Sequence, residues 1–79
     1  MDQRKEDIVR LFVGYCEEKL RDRGGLEDSS ESVVESLWRY FQIDLNFYER
    51  GGADWRVAKS ISFDDVWDYI DEVAPIRSR

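Results

Sequence analysis

The chain contains no histidine. That absence removes the commonest general base, the commonest zinc ligand and every nucleophile arrangement built on a Ser-His or Cys-His pair. A non-catalytic role is therefore the expectation. A site made of carboxylates alone stays open in chemical terms, yet no acidic cluster has the glycine-containing spacing of a calcium loop, and no metal is expected. Cysteine occurs once, at Cys16. No disulfide within the chain can brace the fold, the cysteine framework of small secreted proteins is missing, and the cytoplasm is the expected compartment. Long apolar runs are missing as well: the longest uncharged one is six residues, Leu11 to Cys16. The opening MDQRKED lacks the apolar core of a signal peptide, so neither a membrane span nor a secretory leader is expected. Basic residues are outnumbered, with 12 Lys and Arg against 18 Asp and Glu, a net charge of -6 and an isoelectric point near 4.6. Such a chain repels phosphate backbones and anionic lipid, which argues against nucleic acid and membrane partners and for a protein with a basic surface. The same charge also serves simply to keep a small domain soluble.

What is present describes a folded domain. Of 79 residues, 42% are hydrophobic and 14% aromatic, too apolar a mixture for a disordered chain. One helical domain over residues 1–79 is expected, small enough that only roughly 60% of its unfolded surface becomes buried.

Val9, Val13, Cys16 and Leu20 recur at helical spacing, with Ile8, Leu11, Phe12 and Tyr15 widening the stripe. They predict a first helix over about residues 3–21, stopped by Gly24-Gly25. Asp28 followed by Glu31 reads as a capping box for a second helix, with Ser29 and Ser30 as alternative caps. Val33, Val34, Leu37 and Phe41 would form its buried stripe, with Trp38 and Tyr40 on the flanks. Glu27, Glu31 and Glu35 would make an acidic row at i, i+4 spacing, Glu35 being placed to pair with Arg39. The last helix, about residues 63–74, has the clearest start. Ser62 and Asp65 give a capping pattern, Ile61 and Val66 a hydrophobic staple, and the stripe Phe63, Val66, Trp67, Ile70, Val73 and Ala74 ends before Pro75.

Residues 46 to 60 read two ways. Leu45 and Phe47, then Trp55 and Val57, alternate across Gly51-Gly52, which suits a short hairpin, whereas a loop with one helical turn avoids an isolated pair of strands and is preferred. The expected fold class is all-α: a small three- to four-helix bundle with an irregular or hairpin-containing segment before the last helix.

Two stretches resemble the acyl carrier protein family. LWRYFQIDL looks like the end of that family's second helix through Leu37, Phe41 and Ile43-Asp44-Leu45. ISFDDVWDYI looks like its last helix through Ile61, Ser62, Phe63, Asp65, Val66, Asp68, Tyr69 and Ile70. The resemblance covers about a quarter of the chain. It implies a four-helix bundle in which the region Asn46 to Lys59 supplies a short third element in enlarged form. The family attaches 4'-phosphopantetheine to the serine of an Asp-Ser-Leu motif, and this sequence has no such tripeptide. An ungapped alignment puts Glu27 at the serine position. Ser29 lies two residues out of register and is followed by Ser30 rather than leucine, so as a cofactor-binding residue it ranks below its alternative as a cap. What remains of the resemblance is the acidic second-helix face, which in the family docks onto basic patches.

The expected function is thus a carrier-like interaction domain that binds a basic partner surface through Glu27, Asp28, Glu31 and Glu35, with Trp38 and Trp55 as exposed aromatic anchors. Trp67 is expected at the edge of the core, and Cys16 inside it. Two alternatives accompany this reading: a divergent acyl or peptidyl carrier modified on Ser29, and an acidic inhibitor or immunity protein of a basic enzyme.

Overall fold

The computed structural model describes residues 2–73 of the chain, and within them the backbone is predominantly helical with no strand. The first helix, α1, is Gln3–Lys19. It starts at Asp2, whose carboxylate accepts from the Lys5 amide at 3.0 Å and so satisfies one of the orphan donors of the first turn. It stops as expected near the glycine pair. Gly24 takes a left-handed φ of +86°, and the Gly25 amide returns to the Leu20 carbonyl at 2.9 Å. Ile8, Val9, Phe12 and Cys16 are buried on one face, and Leu20 extends that face into the following turn.

Between the first two helices the chain makes two 3-10 turns, Arg21–Arg23 and Leu26–Asp28. The second inserts Leu26 into the core, 1% exposed. Ser29 and Ser30 are extended, so the next helix, α2, begins only at Glu31 and runs Glu31–Glu49. Its cap is Ser30, whose hydroxyl accepts from the Val33 amide at 3.4 Å. The Asp28–Glu31 box does not form, because Asp28 belongs to the preceding turn.

At about 28 Å, α2 is the longest element. It absorbs the residues whose alternation suggested a strand: Leu45 and Phe47 lie within the helix, which ends at Arg50 in the left-handed region, φ +54°. After Gly51, the chain forms α3, Ala53–Lys59. Trp55 and Val57 are therefore helical too, and the two glycines join helices rather than strands. Two side chains of α2 explain why so short a helix holds. Glu49 Oε1 accepts from the Trp55 amide at 2.7 Å, supplying the cap that Gly52 cannot, and Gln42 Nε2 donates to the Ala58 carbonyl at 3.0 Å near its other end.

The last helix, α4, is Phe63–Val73. Ser62 Oγ accepts from the Asp65 amide at 3.3 Å, and the staple positions Ile61 and Val66 are both buried. The expected Ala74 end and the stop before Pro75 lie outside the described residues. α1 contacts each of the other three helices, and α2 packs against α3 along its C-terminal half. Tyr69 ties α4 to α1 by donating its hydroxyl to Glu6 Oε1 at 3.0 Å; burial, then this acceptor, raise its pKa.

The fold is thus a four-helix, all-α bundle with a short third helix. Its centre is aromatic: Phe12 meets Trp38 edge-on at 5.0 Å and Phe41 at 5.3 Å, and Trp38 stacks on Phe41 at 5.6 Å. Trp67 is half-buried at the core edge, beside Phe63.

Candidate interaction surface

The acidic residues proposed for partner binding fall on two elements. Glu27 and Asp28 belong to the 3-10 turn, while Glu31 and Glu35 occupy the first turns of α2. The extended Ser29 and Ser30 break helical spacing between them, so Glu27, Glu31 and Glu35 do not form one continuous i, i+4 row. Together they make an acidic shoulder at the N-terminal end of α2. Glu27, Asp28 and Glu31 are exposed and Glu35 is half-exposed. Glu35 pairs with Arg39 at 3.8 Å, as its spacing predicts, in a surface ion pair of small energetic weight. The Asp28 side chain folds against Gly24, where any Cβ would collide with its carboxylate.

Ser29 lies beside this shoulder. Its hydroxyl donates to the Gly25 carbonyl at 3.0 Å and is half-buried, so it braces the turn.

The two tryptophans are not gathered with the acids. Trp38 is 3% exposed and sits at the middle of the core, which removes it as a surface anchor. The reason is rotational: of the expected stripe Val34 and Phe41 are buried and Val33 and Leu37 only partly so, because the core face of α2 is turned toward Trp38. Trp55 is half-buried on α3, with the Lys59 ammonium 4.9 Å above its ring. It packs near Glu49, about 20 Å along α2 from Glu35, too far to share a contact patch of a few residues with it.

No protein-family model, curated protein or solved structure matches this chain. The acyl carrier resemblance therefore rests on its two sequence stretches, and the chemistry of the surface has to be read from the surface itself.

The most conspicuous feature of that surface escaped the sequence reading. Tyr40, Ile43 and Phe47 are 60%, 60% and 73% exposed on the outer face of α2, and Tyr48 beside them is 80% exposed with its ring edge-on to Phe47. Ser36, Arg39, Tyr40 and Ile43 line a shallow hollow of about 270 Å³. The signal was present in the i, i+3, i+7 spacing of Tyr40, Ile43 and Phe47.

Nothing in the interior is poised for chemistry. Cys16 is fully buried and burial pushes its thiol up to about 12, the reverse of an activated nucleophile. Among the described residues no three metal-binding side chains converge, and no helix is long and apolar enough to cross a membrane.

Proposed function

We propose that this chain is a non-catalytic protein-interaction domain whose acidic shoulder, Glu27 and Asp28 in the turn with Glu31 and Glu35 on α2, docks onto a basic surface of another protein. The observation that carries this reading is exposure: Asp28 and Glu31 are exposed and make no ion pair among the described residues, and the ion pair of half-exposed Glu35 is with Arg39 of the same helix. Exposed carboxylates at the N-terminal end of α2, in a chain of net charge -6, project a negative field toward an approaching partner. Such a field speeds encounter and fixes orientation more than it deepens affinity. The partner can be a basic enzyme held inactive or a synthase component, since both present the same chemistry to this shoulder. Ser29 contributes to the turn in this reading and carries no prosthetic group.

The test is a capture experiment from cells that express the chain, with bound proteins identified by mass spectrometry. Wild type should enrich proteins with basic surfaces, and the variant D28K/E31K/E35K, verified as folded by circular dichroism, should lose them. Undiminished capture by that variant removes the shoulder as the docking surface. Incubation with coenzyme A and a phosphopantetheinyl transferase checks the carrier alternative, which requires a mass adduct on Ser29.

A further inference from the structure

We propose that the outer face of α2 is a homodimer interface on which the same helix of a second copy lies antiparallel. α2 is apolar on two opposite sides. Val34, Trp38 and Phe41 face the core, while Ser36, Tyr40, Ile43 and Phe47, spaced by four, three and four residues, fall within an arc of about 60° on the other side. A helix apolar on both sides belongs between two layers of protein, and the monomer supplies only one.

The pattern of the stripe names its occupant. A two-fold axis between Tyr40 and Ile43 sets Tyr40 of one copy against Ile43 of the other and brings Phe47 level with Ser36, the small residue that lines the hollow with Arg39, Tyr40 and Ile43. The most exposed side chain of the stripe, Phe47, thus meets the hollow beside Ser36. The charges agree. Antiparallel pairing sends the two acidic shoulders to opposite ends, where parallel pairing would press them together. It also brings Arg50, exposed and without an ion-pair partner among the described residues, level with the first turns of the other α2, on the side that carries Glu35. The two helix dipoles then lie head to tail.

Size sets the strength. Tyr40, Ile43 and Phe47 offer on the order of 400 Å² per copy, so the buried total of roughly 800 Å² is that of a weak, transient interface. A reversible, concentration-dependent dimer is expected. The location of the interface rests on the stripe and only its antiparallel orientation on Glu35 of the acidic shoulder, so the I43E test fails or survives separately from the partner-binding reading.

Sedimentation equilibrium of the full chain over a concentration series rising toward the millimolar range tests it. Wild type should pass from monomer to dimer mass. I43E, a change at an exposed position that should keep the monomer's circular dichroism spectrum, should remain monomeric throughout. R50E and E35R should each weaken the dimer, and R50E/E35R should restore it. A wild-type chain that is monomeric at every concentration, even one that binds an amphipathic basic peptide through Ile43, overturns the proposal. A dimer indifferent to I43E overturns its location, and the absence of rescue in the double swap overturns the antiparallel arrangement.

Discussion

The phenol of Tyr15 on α1 donates to Asp44 Oδ2 on α2 at 3.1 Å, a link across 29 positions of the chain at the rim of the aromatic core. Burial, and then the hydrogen bond to Asp44, push the Tyr15 pKa from 10.0 up to about 12. A pKa raised on folding contributes stability that is fully present below pH 10 and is lost as the pH rises toward 12. Y15F should therefore cost about 0.5–1 kcal/mol at neutral pH, a modest value because the pair is solvent-exposed. It should also lose less stability than wild type between pH 10 and 12. Urea melts of both proteins at neutral and alkaline pH check this. Cys16 and Tyr69 are also raised and titrate in the same direction, so the difference between the two proteins isolates the share of Tyr15.

Cys16 supplies a second prediction. With no exposed surface and a thiol raised to about 12, it should react with a thiol reagent only when the fold opens. Labelling in native buffer should be slow and should accelerate in step with the fraction unfolded by urea. C16S should destabilise by about 1–3 kcal/mol, since it exchanges an apolar sulfur for a hydroxyl in a wholly apolar cluster. Rapid labelling of the native protein would contradict the burial.

How much of this was readable from the residues depended on whether a helix had one apolar face or two. α1 and α4 each carry a single stripe, and the extent of α1, the start of α4 and the centre of each buried face follow from spacing and caps, although Leu11 is exposed and Val13, Tyr15, Phe63 and Trp67 are only partly buried. α2 carries two stripes, of which only the inner one was read: Val34 and Phe41 are buried as expected, while Trp38, set on the flank, takes the place of the partly buried Val33 and Leu37 at the core. The alternation of Leu45 with Phe47 then imitated a strand, because on α2 Leu45 packs inward and Phe47 points out. The stability of α3 was not readable at all. It depends on Glu49 and Gln42 reaching across from α2, contacts that exist only once the tertiary structure does. The acidic residues were identified correctly as exposed, yet their division between a turn and a helix depends on the extended backbone of Ser29 and Ser30, which no side-chain pattern announces.

The turn leading to that division has its own test. Gly24 is left-handed, and a methyl group there would strike the Asp28 carboxylate. G24A should therefore cost more than about 1 kcal/mol, because both the backbone conformation and the space are denied to alanine. The two contributions separate by mutation. G24A/D28A should recover the steric part that the carboxylate imposes and leave the conformational part and the contact with the Cβ of residue 28 at 2.9 Å, a coupling that a double-mutant cycle of urea midpoints measures directly. Strict additivity would mean that the Asp28 side chain does not occupy that position in solution.

The start of α2 decides between two sequence patterns that look equally good. If Asp28 and Glu31 formed a capping box, removing either would weaken the helix, and Ser30 would be a bystander. The structure assigns the cap to Ser30, through its bond to the Val33 amide, and places Asp28 outside the helix. S30A should accordingly cost about 0.5–1 kcal/mol, toward the lower end for a cap because the bond is 3.4 Å long and Ser30 is exposed. E31A should lose no more than a few tenths of a kcal/mol, the share that a carboxylate in the first turn contributes through the helix dipole. Salt separates the two further. The E31A effect should fade as ionic strength rises, whereas the S30A effect, carried by a hydroxyl, should persist. Equal losses for E31A and S30A, both insensitive to salt, would restore the box and begin α2 earlier, bringing Glu27 into one helical row with Glu31 and Glu35.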